Sequence, residues 1–315
     1  MTPIKDVARG RWDYLLPAFG IGPEFLTGRH GPCPLCGEGK DRFRFDNKQG
    51  EGTWFCSQCG PGDGVSLVMK FCGLDFLEAV AQIKVKVEGA PPPKAAKPGR
   101  PADDQRASMN AIWNGAQPLR HGDVVCRYLE SRGIRIHWQR DLRFHPGARY
   151  YAKPGDKTYT LAPAMLAKVR GLDGTPVNVH RTFLTEDGQK APFEEVRKLM
   201  GGPMPHGSAI RLGDPVEHVL GVAEGIETAM SASMMWNIPV WALINAENMQ
   251  TWSPPPGVTE VFVFGDNDET FTGQAAAYAL AKRLTVANRI KSAVHIPLCV
   301  GTDWNDVLRA EGQVA

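Results

Sequence analysis

Four cysteines stand in two close pairs, Cys33-Pro-Leu-Cys36 and Cys56-Ser-Gln-Cys59, with nineteen residues between the pairs. Each pair has the spacing of a knuckle, a tight turn in which two thiolates point at one ion. The interval is long enough for a hairpin that lays the second knuckle over the first. Four thiolates complete tetrahedral zinc, so the predicted site is structural and keeps no open position for chemistry. Gly37 and Gly60 follow the knuckles, which weighs against chance clustering or redox-active pairs. His30 is an outside candidate to replace one ligand. Cys72, Cys126 and Cys299 stand alone in apolar or mixed surroundings and read as ordinary buried thiols of a protein from a reducing compartment.

A second set of chemical residues is acidic. Val222-Ala-Glu224-Gly-Ile-Glu227-Thr-Ala puts Glu224 at the end of an apolar strand, followed by glycine and then a helix. That is the carboxyl edge of an open α/β sheet, where ligands bind. Val261-Phe-Val-Phe-Gly265-Asp266-Asn-Asp268 ends a second strand with two carboxylates one residue apart, and in extended chain alternate residues face one side. Gly301-Thr-Asp303-Trp-Asn305-Asp306 follows a last strand. Hard oxygen ligands from three strand ends suit Mg²⁺ or Mn²⁺, which serve phosphoryl transfer without a protein nucleophile. The competing reading is that Glu224 and Asp303 cap helices. It is the better one for either acid alone, and metal binding is the better one for Glu224, Asp266 and Asp268 together.

These residues need elements to position them. At 315 residues, 43% apolar and 22% charged, the chain reads as globular and exceeds the usual size of one core. It lacks a run of about 18 apolar residues and a basic-then-apolar leader, so the cytoplasm is the expected location, with no membrane partner. Lys and Arg outnumber Asp and Glu by 31 to 23 over residues 1–215, and are outnumbered 5 to 11 over residues 216–315. A basic front suits a polyanion and an acidic back suits gathered carboxylates.

The expected organisation is multi-domain. Residues 1–88 form a small β zinc ribbon with a trailing helical stripe over 65–85, carried by Leu67, Val68, Phe71, Leu74, Leu77, Val80 and Ile83. Residues 89–104, rich in Pro, Ala and Lys, form a flexible linker. Residues 105–215 form a mixed α+β basic subdomain, with helices near 107–115 and 124–132. Residues 216–315 form an α/β domain with a central parallel sheet, its strands at 219–223, 240–244, 261–264 and 293–296 in the order strand, helix, strand, strand, helix, strand. Between the knuckles, Arg42, Arg44, Lys48 and Trp54, with Phe43, Phe45 and Phe55, mix cations with aromatic faces. Such a surface can stack unpaired bases while neutralising phosphate. The three phenylalanines serve equally well as cover for the metal.

Glu224-Gly at one strand end and Asp266-Asn-Asp268 at another resemble the paired signatures of the Toprim domain, shared by bacterial-type primases, topoisomerases and some nucleases. The four-cysteine ribbon, with the Gly60-Pro-Gly-Asp-Gly64-Val-Ser-Leu-Val-Met that follows it, resembles the zinc-binding domain of bacterial and phage DNA primases. Ribbon, linker, basic region and Toprim is the order of those primases. The resemblance implies primer synthesis on single-stranded DNA from nucleoside triphosphates, with a separate replicative helicase as a further partner. It implies Glu224 as general base or metal ligand, Asp266 and Asp268 as ligands of Mg²⁺ or Mn²⁺, and Asp303 as a further ligand. Many relatives carry Asp where this chain has Thr228 with Glu227 beside it, which leaves the role of Glu227 open. The ending Asp303-Trp-Asn-Asp-Val-Leu looks more like phage and plasmid members, and no helicase-type phosphate loop follows.

In the family the basic subdomain holds template and nucleotide. Here it carries Arg127, Arg132, Arg135, Arg140, Arg143 and Arg149, then His180-Arg181-Thr-Phe-Leu and Lys190. Arg181 and Lys190 are the expected triphosphate or template contacts. The alternatives are a Toprim nuclease, or a non-catalytic single-stranded-DNA-binding replication accessory protein. A topoisomerase needs a tyrosine in a separate strand-passing domain, for which the six tyrosines leave no room.

Overall fold

The computed structural model of the chain describes residues 3–37, 40–92, 102–135, 141–153, 156–202 and 204–314. Residues 93–101 of the expected linker, and Arg140, lie outside them. The chain divides into two compact units, residues 1–101 and 102–315.

In the first unit, helices α1 (Ile4–Ala8) and α2 (Trp12–Ala18) precede an antiparallel sheet of β1 (Phe43–Phe45), β2 (Trp54–Cys56) and β3 (Gly60–Gly62). Helices α3 (Gly64–Cys72) and α4 (Phe76–Glu88) follow. Alternation buries Phe43, Phe45, Trp54 and Cys56 and turns Arg44 and Phe55 outward. The inward residues join Trp12, Leu15, Leu16, Leu67, Val68 and Ile83 in one core. The single helical stripe expected over 65–85 is two helices. Gly73, in the left-handed region at φ 66°, closes α3, and Asp75 opens α4 through a capping box with Glu78. The break turns Leu77 into solvent, 76% exposed.

The second unit is built on one ten-stranded sheet. Helix α5 (Ala102–Asn114), β4 (Gln117–Pro118) and α6 (Val124–Ser131) precede the antiparallel strands β5 (Leu142–Tyr150), β6 (Thr160–Arg170), β7 (Pro176–Phe183) and β8 (Arg197–Leu199). Then come β9 (Ala209–Ile210), β10 (Val219–Ala223), α7 (Ile226–Trp236), β11 (Val240–Ala242), α8 (Ala246–Thr251), β12 (Glu260–Phe264), α9 (Thr272–Ala287), β13 (Lys291–His295) and α10 (Trp304–Val314). β10 lies parallel between β11 and β12, and β13 lies parallel to β12. β9 pairs antiparallel with both β11 and β6, so the regions expected as separate subdomains share a sheet.

The four parallel strands stand where the apolar runs predict them. β11 stops two residues early because Ile244 adopts φ 77°, and α8 was not expected. It is six residues long, too short for periodicity to register, and Asn245 caps it by accepting from the Asn248 N–H at 2.8 Å. Strand β6 hides from alternation because most of it is buried on both faces. Cys126 is buried as expected, whereas Cys72, at the end of α3, and Cys299, in the loop after β13, are exposed. Among the described residues no helix is long and apolar enough to cross a membrane.

Candidate functional site

The two knuckles meet. The Sγ atoms of Cys33, Cys36, Cys56 and Cys59 all lie within 4.8 Å of one another, with Cys33 and Cys59 Sγ 3.9 Å apart. Tetrahedral zinc with Zn–S of about 2.3 Å requires sulfurs about 3.8 Å apart. The Leu35 and Gln58 N–H groups donate to Cys33 and Cys56 Sγ at 3.4 Å each, which orients the sulfurs and disperses thiolate charge. The donor set and its geometry fit structural zinc. His30 stands apart, its ring Nδ1 3.1 Å from the Asp41 carbonyl.

On the ribbon's outer face Phe55 is exposed beside its cross-strand partner Arg44. Lys48 and Arg44 share Asp46 at 3.0 and 3.5 Å, and Arg42 donates to Gln58. Trp54, expected as a base contact, is corrected to a core residue. It is 2% exposed, stacks on Phe43 at 5.9 Å and donates its indole N–H to the Asp63 carbonyl. Even numbering along β2 turns its ring inward and hands the outward place to Phe55.

At the other end of the chain, β10 and β12 are adjacent and in register, with Ala223 opposite Phe264. Glu224 and the Asp266–Asp268 segment therefore leave neighbouring strands at the same sheet edge. Glu224, Asp266 and Asp303 line one small cavity of about 80 Å³, together with His180, Arg197, Glu227 and Thr228. Asp268 adjoins it and interacts electrostatically with both Glu224 and Asp266. The helix that follows Glu224 takes Gly225 as its N-cap without a side-chain cap, so Glu224 is not a helix cap. Asp303 is one. Its Oδ1 accepts from the Asn305 and Asp306 N–H groups at 2.7 and 3.0 Å, and Asp306 Oδ2 accepts from the Asp303 N–H at 3.2 Å. Only Asp303 Oδ2, 3.5 Å from Thr228 Oγ1, remains for the cavity. Asp268 Oδ2 accepts from the Gly273 N–H at 2.7 Å. Here α9 passes so close that a Cβ on Gly273 would stand 2.8 Å from the Asp266 carbonyl oxygen.

The cavity's electrostatics are those of crowded negative charge. Burial and Asp268 push the Glu224 carboxyl up to about 7. Burial, Glu224, Asp303 and Asp268 push Asp266 to about 7, and its Oδ1 is buried without a hydrogen-bond partner. These are oxygens a divalent cation would satisfy. Among the described residues only the four cysteines bring three or more ligand atoms into a closed cluster. The looser acidic set suits Mg²⁺, which keeps waters and takes phosphate oxygens.

Glu227 behaves oppositely. Burial alone would raise it, but Arg197 and the Tyr128 hydroxyl outweigh burial and hold it at about 2. Tyr128 donates to its Oε1 at 2.6 Å and Arg197 to its Oε2 at 2.9 Å. With both oxygens engaged, Glu227 anchors Arg197 rather than offering a ligand position. Glu227→Gln is expected to lower stability by about 1–3 kcal/mol, discounted because Arg197 is 46% exposed. Urea denaturation measures it, and no change would refute the anchoring role.

Of the expected cations, Arg181 faces away from the acids. Alternation along β7 puts it over the Phe183 ring, where it donates to the Arg149 and Leu199 carbonyls at 3.2 and 3.0 Å. Lys190 lies close enough to be lowered by burial and Arg197 and raised by Glu227 and Asp303. The cation in the cavity lining, Arg197, and Tyr128, which holds the other oxygen of its anchor Glu227, carry no motif that reading the sequence could single out.

Residues 28–65 match the zinc-binding domain of primase-helicase, residues 219–314 the Toprim domain, and residues 103–212 a domain of unknown function (DUF7146). Similar solved structures include the zinc-binding and RNA polymerase domains of the Aquifex aeolicus primase, at 14% identity over 100% of this chain and 84% of that one, TM-score 0.46. A DNA primase domain from Pseudomonas aeruginosa matches at 14% identity over 67% and 74%, TM-score 0.45. The primase fragment of the bacteriophage T7 primase-helicase protein matches at 15% over 91% and 96%, TM-score 0.39. The cavity's acids, Glu224, Asp266 and Asp303, thus fall in the stretch that matches the Toprim domain, while His180 and Arg197 fall in the DUF7146 match, on a chain whose residues 28–65 match the zinc-binding domain of primase-helicase.

Proposed function

We propose that the chain is a DNA primase, synthesising short RNA primers on single-stranded DNA by nucleotidyl transfer in the Glu224–Asp266–Asp268 cavity. The observation that carries the reading is the convergence of Glu224 and Asp266 on one cavity with cationic Arg197, in a chain that also bears a primase-type ribbon. Glu224, Asp266 and Asp268 would hold Mg²⁺ or Mn²⁺, with Asp303 Oδ2 as a further ligand. When bound, the ions supply activation of the attacking hydroxyl and neutralisation of phosphate charge. If it does not ligate the ion, Glu224 can instead take the proton of that hydroxyl at its carboxylate. Arg197, held by Glu227, offers planar donors to the triphosphate, and Lys190 adds positive charge beside it. Arg42, Arg44 and Lys48 would meet the template backbone, and Phe55 would stack on an unpaired base, worth about 1–3 kcal/mol. The partners of this reading are single-stranded template, nucleoside triphosphates and a separate replicative helicase.

The test is incubation of purified protein with single-stranded templates, labelled ribonucleotides and Mg²⁺ or Mn²⁺. Template-dependent oligomers are expected, with a rate at limiting Mg²⁺ that rises from pH 6 to pH 8 because protons compete with the ion for the Glu224 and Asp266 carboxyls, whose metal-free pKa values are raised. Loss of labelled template instead would favour the nuclease, and DNA binding with neither outcome would favour the accessory protein.

A further inference from the structure

His180 is buried, 8% exposed, and lines the acidic cavity with Glu224, Asp266 and Arg197. It stands on β7, where alternation puts it and Thr182 on the face opposite Arg181. Thr182 pairs with Arg197 on β8, so imidazole, hydroxyl and guanidinium share one face of the sheet. His180 Nδ1 and Thr182 Oγ1 are both buried without a hydrogen-bond partner, as is Asp266 Oδ1. A buried polar atom that forgoes its hydrogen bond is costly and uncommon. Two of these residues, His180 and Asp266, line the one cavity, and together they point to a polar ligand that completes them. The cavity, about 80 Å³, has roughly the room of a few water molecules, enough for a phosphoryl group or a sugar hydroxyl.

Resting on the primase reading above, we infer that His180 is a nucleotide contact, its Nδ1 hydrogen-bonding an oxygen of the incoming nucleoside triphosphate. The ring is suited to this as a neutral group. Burial, with Arg197 and Arg181, outweighs the pull of Glu227 and holds its pKa near 4, so at neutral pH one ring nitrogen donates and the other accepts. Arg197 supplies charge beside it, and His180 supplies direction.

Equilibrium binding tests this without turnover. The zinc-loaded full chain with Mg²⁺ is titrated with a non-hydrolysable ribonucleoside triphosphate, its deoxy counterpart and inorganic pyrophosphate, for wild type, His180→Phe and His180→Gln. The Phe variant is expected to bind the ribonucleotide about 5–30-fold more weakly, the effect of one lost hydrogen bond. The amide of the Gln variant is expected to restore part of the loss, and single-stranded DNA binding should not change. An equal loss for pyrophosphate assigns the contact to a phosphoryl oxygen, and a loss confined to the ribonucleotide assigns it to the 2′-hydroxyl. If the Phe variant fails to fold, His180→Ala takes its place, and an Ala variant that binds all three ligands as wild type does overturns the inference. Unchanged binding by a folded Phe variant does the same. Wild type that binds none of the three overturns the primase reading with it.

Discussion

Replacing Asp266 by Asn is expected to abolish primer synthesis while making the metal-free protein more stable. The two effects share a cause. Asp266 is held near 7 by burial and by the Glu224, Asp303 and Asp268 carboxylates, so at pH 8 the folded chain carries an ionised, crowded group that the unfolded chain would solvate freely. An amide at this position keeps the shape and removes the charge. Its gain at pH 8 is about 1–3 kcal/mol, allowing for the part of the same repulsion that Glu224 titrates. The loss in rate is about 10²–10⁴-fold, the equivalent of several kcal/mol of ion-derived stabilisation at 1.36 kcal/mol per factor of ten.

The sign of the pH effect follows from linkage. A carboxyl whose folded pKa is raised binds more protons folded than unfolded between its ordinary value and about 7, so wild-type stability without metal falls as pH rises through that window. Glu227, held at about 2, works the other way. Its contribution is present above the ordinary carboxylate range and is lost as pH falls through that range towards 2. Melting curves at pH 3, pH 5 and pH 8 separate the two groups, and Mg²⁺ should raise the wild-type curve at pH 8 more than that of the variant. An Asp266→Asn protein that melts lower than wild type at pH 8 without metal would contradict the crowding of these acids.

What the sequence reveals of this site is what local spacing encodes. Two cysteines three apart make a knuckle wherever they fold, and an acid that ends an apolar strand stands at a sheet edge whatever its neighbours. Both clusters were legible on that basis. Arg197 was not, because it reaches the cavity through the pairing of β7 with β8 and through Glu227, thirty residues away. Tyr128 lies ninety-nine residues from the carboxylate it binds. Residue type shows charge and aromaticity but not face: alternation turns Arg181 away from His180 on β7 and turns Trp54 inward with Phe55 outward on β2. In the fold, strands exposed on one face or bounded by glycine could be found, whereas β6, buried on both faces over most of its length, and the short helix α8 left no periodic trace.

Stripping zinc from the ribbon is expected to unfold the first unit and leave the second intact. Its sheet has three strands of three residues each, too little paired backbone to stand alone. Cys33 and Cys56 are themselves part of the core around Trp12, Phe43 and Trp54, so removing the ion leaves protonated thiols inside the apolar cluster with no bond holding the two knuckles together. Zinc contributes about 10–16 kcal/mol to small ribbons of this kind, against a total stability of about 5–15 kcal/mol for a typical domain. The four-cysteine cluster is therefore worth as much as the rest of the unit together. Trp12 and Trp54 are the only tryptophans in the first unit and should lose their near-ultraviolet circular dichroism on chelation. The melting transition of residues 102–315, which have their own sheet and cores, should persist. Template binding through Arg42, Arg44, Lys48 and Phe55 should fall with the ribbon, while nucleotide binding in the acidic cavity remains. A chelated protein that kept amide protection across residues 43–62 would mean that the apolar core alone holds the knuckles together.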